Sequence, residues 1–548
     1  MSYLKLSGGT IVDPANGIDL QRDDIWIRDG KVVAPPDSTG NAQVTTVDVE
    51  GMVVMPGAID MHCHIAGPKV NIARQMQPEM TRLALENGVM ANVPDLFTAG
   101  FRYTGLGYTT CFDAAVSPLS ARQVHSEFCR IPNLDTGFFA LMGNNHRVLD
   151  CVARQDAEGL DAFLGWLINR CGAFAPKLVN PGGVELWKRS AGGNADDLDT
   201  PLDNGVLTPR RIIRELAMSA NRLGLPHPVH IHTNNLGMPG NWRTTLETMK
   251  SLAGIKSHLT HIQFHSYGGG DADGGDNAAE AALCSRVPEL SAYINEQDEI
   301  TVDVGQVMFG RTTSMTGDGP LGNYLHRIHG DKWYSADTEL ESGCGVSPVE
   351  YKNRNLVNAL QWVIGLEWYL LVKDPWKVVM STDHPNGGSF VAYPQIVRLL
   401  MDRAYRTEKL SEVNERVLKY STLESLDREY SLFEIAIITR AGPARILGLK
   451  SKGHIGAGAD ADITVYAPDA NYEKMFSLPR YVLKGGEFVV QDYEIVRSAG
   501  GSTISADVSY DRDQDGQIDS WFDDHYSISS SHFRVSSSDY GRNSVRIN

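Results

Sequence analysis

The chain has 548 residues, 42% hydrophobic and 21% charged, with a formal net charge of −17 at pH 7. Its length allows a large core and more than one domain, and the composition is that of a folded globular protein. The acidic balance argues against nucleic acid or an anionic membrane surface as partner, since phosphates are met by Lys and Arg. The seven scattered cysteines, none in a CxxC pair, suit a reducing cytoplasm and carry no iron–sulfur or zinc-ribbon signal.

The first 50 residues are short β-type runs, LKLSGGTIVDP, DIWIRDGKVVAP and TTVDVEGMVVMPG, with Asp29-Gly30 as a hairpin turn. The opening MSYLKLSGGTIVDP reads as strand and turn, not as an export signal. From about residue 53 to 445, apolar strands alternate with amphipathic helices. In one such unit Thr208 caps a helix, Pro209 suits its first turn, RRIIRELAMSANRLG runs to Gly224, and the strand PVHIHTNN follows. FAPKLVN, HLTHIQFHS, ITVDVGQVMF and WKVVMSTDH are further strand-like runs. LVNALQWVIGLEWYLLV (356–372) carries Glu367 and reads as a buried helix, too short and too polar for a membrane span. After residue 450 the β texture returns.

These elements predict an α/β fold. A distorted, TIM-like (β/α)8 barrel occupies 53–445, and residues 1–52 and 446–548 share a small β-sandwich domain with an acidic tail. In that tail DRDQDGQIDSWF (511–522) spaces its Asp residues like a calcium loop, but Phe522 stands where a bidentate Glu is needed. It is read as an acidic solvated turn, and no calcium is assigned.

Active sites of such barrels lie at the C-terminal ends of the strands. In MPGAIDMHCHIAG (55–67), His62 and His64 end the first barrel strand, and alternate residues of a strand share a face, so both imidazoles can aim at one metal ion. Lys177 lies in AFAPKLVNPGG, His230 and His232 end PVHIHTNN, His261 and His265 lie in HLTHIQFHSYGGG, and Asp383 ends KVVMSTDHPNGG. Taken singly, each has a bland explanation: a backbone-bonded histidine, a snorkelling lysine, a turn-capping aspartate. Five strand ends that all offer a metal ligand or bridge make a coincidence of such explanations hard to sustain.

The order HxH, Lys, His, His, Asp resembles the amidohydrolase superfamily, in particular its binuclear members such as urease, dihydroorotase and hydantoinase. The resemblance implies that His62, His64 and Asp383 hold one metal, that His232 and His265 hold the second, and that Lys177, carboxylated by carbon dioxide, bridges them. His232 is preferred over His230, and His265 over His261, because IHTNN and FHSYGGG resemble the corresponding urease stretches. An anionic bridge offsets charge that an ammonium would only increase. Nitrogen and oxygen ligands without thiolate suit zinc first. Such a pair of ions activates water and polarises a carbonyl, and Asp383 is the catalytic proton carrier to the leaving nitrogen.

A narrower resemblance rests on GAIDMHCHIAGPKVNIAR, KLVNPGGVELW, DVGQVMFGRTTSMTGD, ESGCGVSPVEYKNRNLVNALQWVIGLEW, TDHPNGGSF and DREYSLFEIAIITRAGPARILGL. Together these are similar to the A-type component of formylmethanofuran dehydrogenase and its bacterial counterpart in the formyltransferase/hydrolase complex, over roughly residues 1 to 495. It implies reversible hydrolysis of N-formylmethanofuran or formyl-methylofuran to formate and free amine. The coenzyme is methanofuran or methylofuran, the partners are subunits of B, C and D type, and the setting is cytoplasmic one-carbon metabolism. The bacterial hydrolase is the preferred reading. The rivals are the same component in a dehydrogenase complex, a cyclic-amide hydrolase of the hydantoinase type, and a metal-free scaffold.

Overall fold

The computed structural model describes residues 2–79, 82, 92–189, 194–202, 205–269, 283–330, 332–336 and 344–548. Gly270 of FHSYGGG and residues 341–343 of ESGCG therefore lie outside the described residues.

A ten-stranded sheet contains the barrel. Its parallel strands are β1 (Ala58–Cys63), β2 (Tyr108–Val116), β3 (Asp135–Leu141), β4 (Ala175–Val179), β5 (Val229–His232), β6 (Ser257–Leu259), β7 (Ile300–Asp303) and β8 (Val378–Val379). Each pairs with the next in sequence. The ring closes just beyond β8, where Cys63 bridges His384 and the His64 N–H donates to the His384 carbonyl at 2.7 Å. Strands β1 to β5 are buried at every position, as barrel strands covered on both faces must be, which is why they read as apolar runs.

The helices follow their local signals. Thr208 accepts from the Arg211 N–H and opens helix Pro209–Arg222, which buries Ile212, Ile213, Leu216, Ala217 and Ala220 along one face. Each of its large aliphatic side chains contributes about 1.5–3 kcal/mol on burial. Helix Leu356–Leu371 is buried nearly all round, and Glu367 survives there because Ser285 and Thr422 donate to its carboxylate.

Both ends of the chain meet in a second, nine-stranded sheet. Val53–Pro56 runs parallel to Ser2–Asp13 on one side and antiparallel to Ile463–Tyr466 on the other. The hairpin at Asp29-Gly30 has φ of 51° and 75°, which an Asp-Gly turn tolerates. This sheet buries Leu6, Ile25, Val54, Ile463 and Leu483 in a core of its own. Where it meets the barrel, Lys484 Nζ contacts Asp135 Oδ2 at 2.5 Å and Asp462 Oδ2 at 2.7 Å, and Lys452 Nζ contacts the same two carboxylates. Lysines thus already neutralise that acidic group, which leaves no demand for a metal there.

The tail departs from the expectation. Thr503–Ala506 and Ser544–Ile547 pair with each other and join the barrel sheet beside β3, not the terminal sheet. Residues 511–522 are not a loop: a turn at Arg512–Gln514 leads into helix Asp515–His525. Phe522 packs its ring on Phe163 and Trp166 of helix Ala157–Cys171, so the residue that spoils a calcium loop is a core residue.

Between β7 and helix Leu356–Leu371 lies an insertion. It comprises an antiparallel sheet of Gly310–Thr316, Tyr334–Ala336 and Cys344–Tyr351, with helix Gly319–His329 against it. It roofs the mouth of the barrel. Among the described residues, no helix is long and apolar enough to cross a membrane.

Candidate metal centre and active site

Strand ends bring the expected side chains to one place. His62 Nε2 and His64 Nε2 stand 3.1 and 3.0 Å from Asp383 Oδ1. Lys177 projects inward from β4, 1% exposed, and its Nζ donates to Thr260 Oγ1 at 3.1 Å. His232 ends β5. These five side chains and His261 line one cavity of about 310 Å³.

The two histidine pairs, His230/His232 and His261/His265, differ in position. His230 lies deeper in the barrel, its Nδ1 3.0 Å from His227 Nε2 and its Nε2 3.3 Å from His62 Nδ1, while His232 reaches the cavity. The strand reading of HLTHIQFHS holds only as far as Leu259. His261 then takes φ of 35° and turns the chain into the short helix Ile262–His265. That turn puts the His261 ring on the cavity wall, 4.7 Å from the His232 ring and 5.4 Å from that of His62. His265 lies behind it, ring to ring at 5.3 Å, with Nδ1 2.9 Å from Thr233 Oγ1, and is absent from the cavity lining.

Two carboxylates that sequence reasoning missed sit behind the HxH pair. Asp303, at the end of β7, has Oδ2 2.9 Å from His62 Nδ1 and 3.2 Å from His258 Nε2, while its Oδ1 accepts from the His261 N–H and from Ser381 Oγ. Asp113, inside β2, accepts from the backbone of Ile65 and Ala66 and stands 3.4 Å from His64 Nδ1. Each left a trace: a lone acid inside the apolar run CFDAAV, and one at a strand end in ITVDVGQ. Asn386 donates to Asp383 Oδ1 at 2.9 Å and accepts from the Met315 N–H of the insertion, so the roof and the carboxylate are tied together.

The residues suit divalent cations, and His62, His64 and Asp383 lie close enough to share one. Burial holds the imidazoles of His230, His232, His261 and His265 neutral, with pKa values pushed below the usual range. His232 Nε2, His261 Nδ1 and His265 Nε2 are all buried without a hydrogen-bond partner. Burial disfavours charge on His62, yet Asp303 and Asp383 outweigh it and raise its pKa to about 9, so the site attracts positive charge. Burial lowers the pKa of Lys177 to about 7, which makes free amine available for carbon dioxide. Donor atoms 3.0–3.1 Å apart match two ligands on one ion at about 2.0–2.1 Å from each. Cys63, between the two histidines, points away, its Sγ toward the Phe112 carbonyl.

A barrel with these donors at its mouth defines a metal-dependent hydrolase of the amidohydrolase type. A model of the amidohydrolase family matches residues 45–490, and the chain belongs to that family. Within it, the protein FwdA of Methanocaldococcus jannaschii is 42% identical over 94% of this chain and 92% of its own. The A-type component of the formyltransferase/hydrolase complex Fhc of Methylorubrum extorquens is 35% identical over 97% of this chain and 96% of its own. A chain in the crystal structure of the FhcABCD complex from M. extorquens with methylofuran superposes with a TM-score of 0.91 at 32% identity, covering 99% of both chains.

Proposed function

We propose that this chain hydrolyses the formamide of a formylated furan coenzyme, formyl-methylofuran or N-formylmethanofuran, to formate and the free amine. In this reading it acts reversibly, as the A-type component of a cytoplasmic formyltransferase/hydrolase complex with B-, C- and D-type partners. The observation that carries the reading is the convergence of His62, His64 and Asp383 at the inner end of a cavity whose outer wall is apolar. Leu321, Tyr324, Leu325 and Ile328 of the insertion helix form that wall with Val349 and Tyr351. Such a wall suits a neutral aromatic arm that carries a small polar headgroup.

His62, His64 and Asp383 would hold one ion and His232 and His261 the second, zinc being the first choice, with Lys177 between them as its carbamate. His261 replaces the expected His265 because it is the histidine of that pair on the cavity wall. Bound there, the ions supply Lewis-acid polarisation of the formyl carbonyl and acidify water. The apolar wall orients the furan and keeps bulk water out. Asp383 takes the proton of the attacking water and hands it to the amine nitrogen as the C–N bond breaks. Asn386 donates to Asp383 Oδ1 and holds the carboxylate in place.

The test is formate release from formylated furan coenzyme by the purified complex, before and after chelation, against ring opening of a hydantoin. Ring opening without formate release would move the chain to the cyclic-amide hydrolases. The 42% identity to FwdA, against 35% to the A-type component of Fhc, favours a second reading in which the chain runs the reaction toward the formamide inside a dehydrogenase complex. Partners captured from the native cell distinguish the two settings.

A further inference from the structure

We propose that Asn355, Asn358 and Gln361 form a strip of amide donors that selects the coenzyme by uncharged oxygen acceptors in its tail, beyond the furan. This rests on the formamide reading above and extends it from the headgroup to the part of the substrate that does not react.

The strip belongs to the same cavity as the metal donors. Asn355 is the N-cap of helix Leu356–Leu371, and Asn358 and Gln361 follow at intervals of three, so the three amides stand near one another along the helix. All three line the cavity. Asn355 is exposed and the other two are half-buried, so the strip runs inward from the mouth.

Backbone groups fix which way these amides point. A backbone N–H can only donate. Asn355 Oδ1 accepts from the Asn358 N–H at 3.1 Å, and Asn358 Oδ1 accepts from the Lys352 N–H at 3.0 Å. With its oxygen so placed, Asn358 turns Nδ2 to Gln361 Oε1 at 3.1 Å. Each oxygen of the strip is thus held by a protein donor. One hydrogen of Asn358 Nδ2 remains unspent, and Gln361 Nε2 borders the Tyr267 hydroxyl with a second hydrogen to spare. What the strip turns to a ligand is N–H, which calls for oxygen acceptors. A site built to hydrogen-bond its substrate discriminates against analogues that lack the matching group.

Charge narrows the class. Apart from the histidines, Lys177 and Asp383 are the charged side chains that line the cavity among the described residues, and both belong to the metal centre. The cations next to the strip are engaged elsewhere: Lys352 Nζ lies 3.4 Å from Glu350, and Arg354 donates to the Val413 carbonyl at 3.3 Å. A carboxylate at the strip would lack a counter-ion. The acceptor is therefore a carbonyl or ether oxygen.

The experiment measures formate release by the purified complex from the formylated coenzyme and from N-formylfurfurylamine, a formamide with the furan and no tail. Wild type is compared with Gln361→Met and Asn358→Asp; aspartate keeps the oxygen that the Lys352 N–H needs and loses the donors. Each variant is expected to reduce the ratio of kcat/KM for the coenzyme to that for N-formylfurfurylamine at least about fivefold, chiefly through KM, as loss of a neutral hydrogen bond predicts. Raising salt from about 0.05 to 0.5 M should move the wild-type KM by less than about twofold. An unchanged ratio in either variant overturns the inference with the formamide reading intact. A wild-type KM that climbs about tenfold with salt makes the acceptor a carboxylate and overturns it too. A wild type that releases formate from neither substrate overturns both. Should neither variant fold, the crystal structure of the wild-type complex with coenzyme decides. A tail oxygen within about 3.2 Å of Asn358 Nδ2 or Gln361 Nε2 supports the assignment, and a tail that leaves the cavity elsewhere refutes it.

Discussion

His62 Nδ1 stands 2.9 Å from Asp303 Oδ2, with both side chains inside the barrel. The contact keeps hydrogen on Nδ1, so a metal that displaces the second proton would find the Nε2 lone pair directed toward Asp383 and the cavity. The same carboxylate holds the His261 backbone and Ser381, so it ties β1, β7 and the turns after β6 and β8 at the level of the site. Asp303→Asn is expected to weaken metal binding about 10- to 100-fold, the usual effect of removing such an outer partner. Unchanged metal affinity in a folded variant would show that the contact is incidental.

The two histidines after β6 separate cleanly by substitution. His261→Ala should lose one ion and nearly all turnover, whereas His265→Ala should keep two ions and lose less than about tenfold in kcat, since it stands behind the cavity wall. The check is elemental analysis beside single-turnover kinetics. The opposite ranking would return the second ion to His265.

Lys177 and Asp383 should fail in different ways. Lys177→Ala removes the bridge, so both ions and activity go together, with partial rescue by acetate or propionate. Asp383→Asn should cost about 10²- to 10⁴-fold in turnover while metal content falls less. The pH dependence has a definite sign. With a folded pKa of about 7, Lys177 is mostly ammonium below pH 7 and mostly free amine above it. Reconstitution of stripped protein with zinc at a fixed concentration of dissolved carbon dioxide should therefore rise about tenfold in rate from pH 6 to pH 8, following the amine fraction. A flat profile would rule out carbamate formation at that lysine.

The outer wall can be tested without touching the metals. Ile328 is 56% exposed and Tyr324 41%, so charge there costs little stability. Ile328→Asp is expected to raise KM for the formylated coenzyme at least tenfold, with kcat within about twofold, because it opposes an apolar arm without reaching the formyl group. A changed kcat at constant KM would place the substrate elsewhere.

The joint between the terminal sheet and the barrel makes a prediction for stability. Lys484 is buried between Asp135 and Asp462, and its ammonium is their partner at 2.5 and 2.7 Å. Lys484→Met leaves Lys452 as the one ammonium shared by the two buried carboxylates and should cost up to about 3–5 kcal/mol in denaturant unfolding. The deficit should shrink as the pH falls into the carboxylate range, because Asp135, whose pKa the two lysines hold low, then protonates without penalty.

What the sequence determined by itself is local. Apolar runs of strand length, a capped helix with a one-sided apolar face, and an Asp-Gly hairpin depend on neighbours a few residues away. A donor at a strand end depends only on the strand in front of it, so His62, His64, Lys177, His232 and Asp383 were legible. What only the tertiary structure decided depends on where the backbone turns and on what meets across the barrel. His261 faces the cavity because of a single left-handed φ after β6, which no periodicity signals. Asp303 reaches His62 from 241 residues away, and Asp318 reaches His232 from the insertion. Composition assigns the acidic tail to the terminal sheet, yet Phe522 and Ile518 take it to the barrel, since apolar burial outweighs an acidic neighbourhood. Side-chain chemistry announces which residues can bind a metal. Their mutual distances, set by closure of the barrel, decide which of them can share an ion.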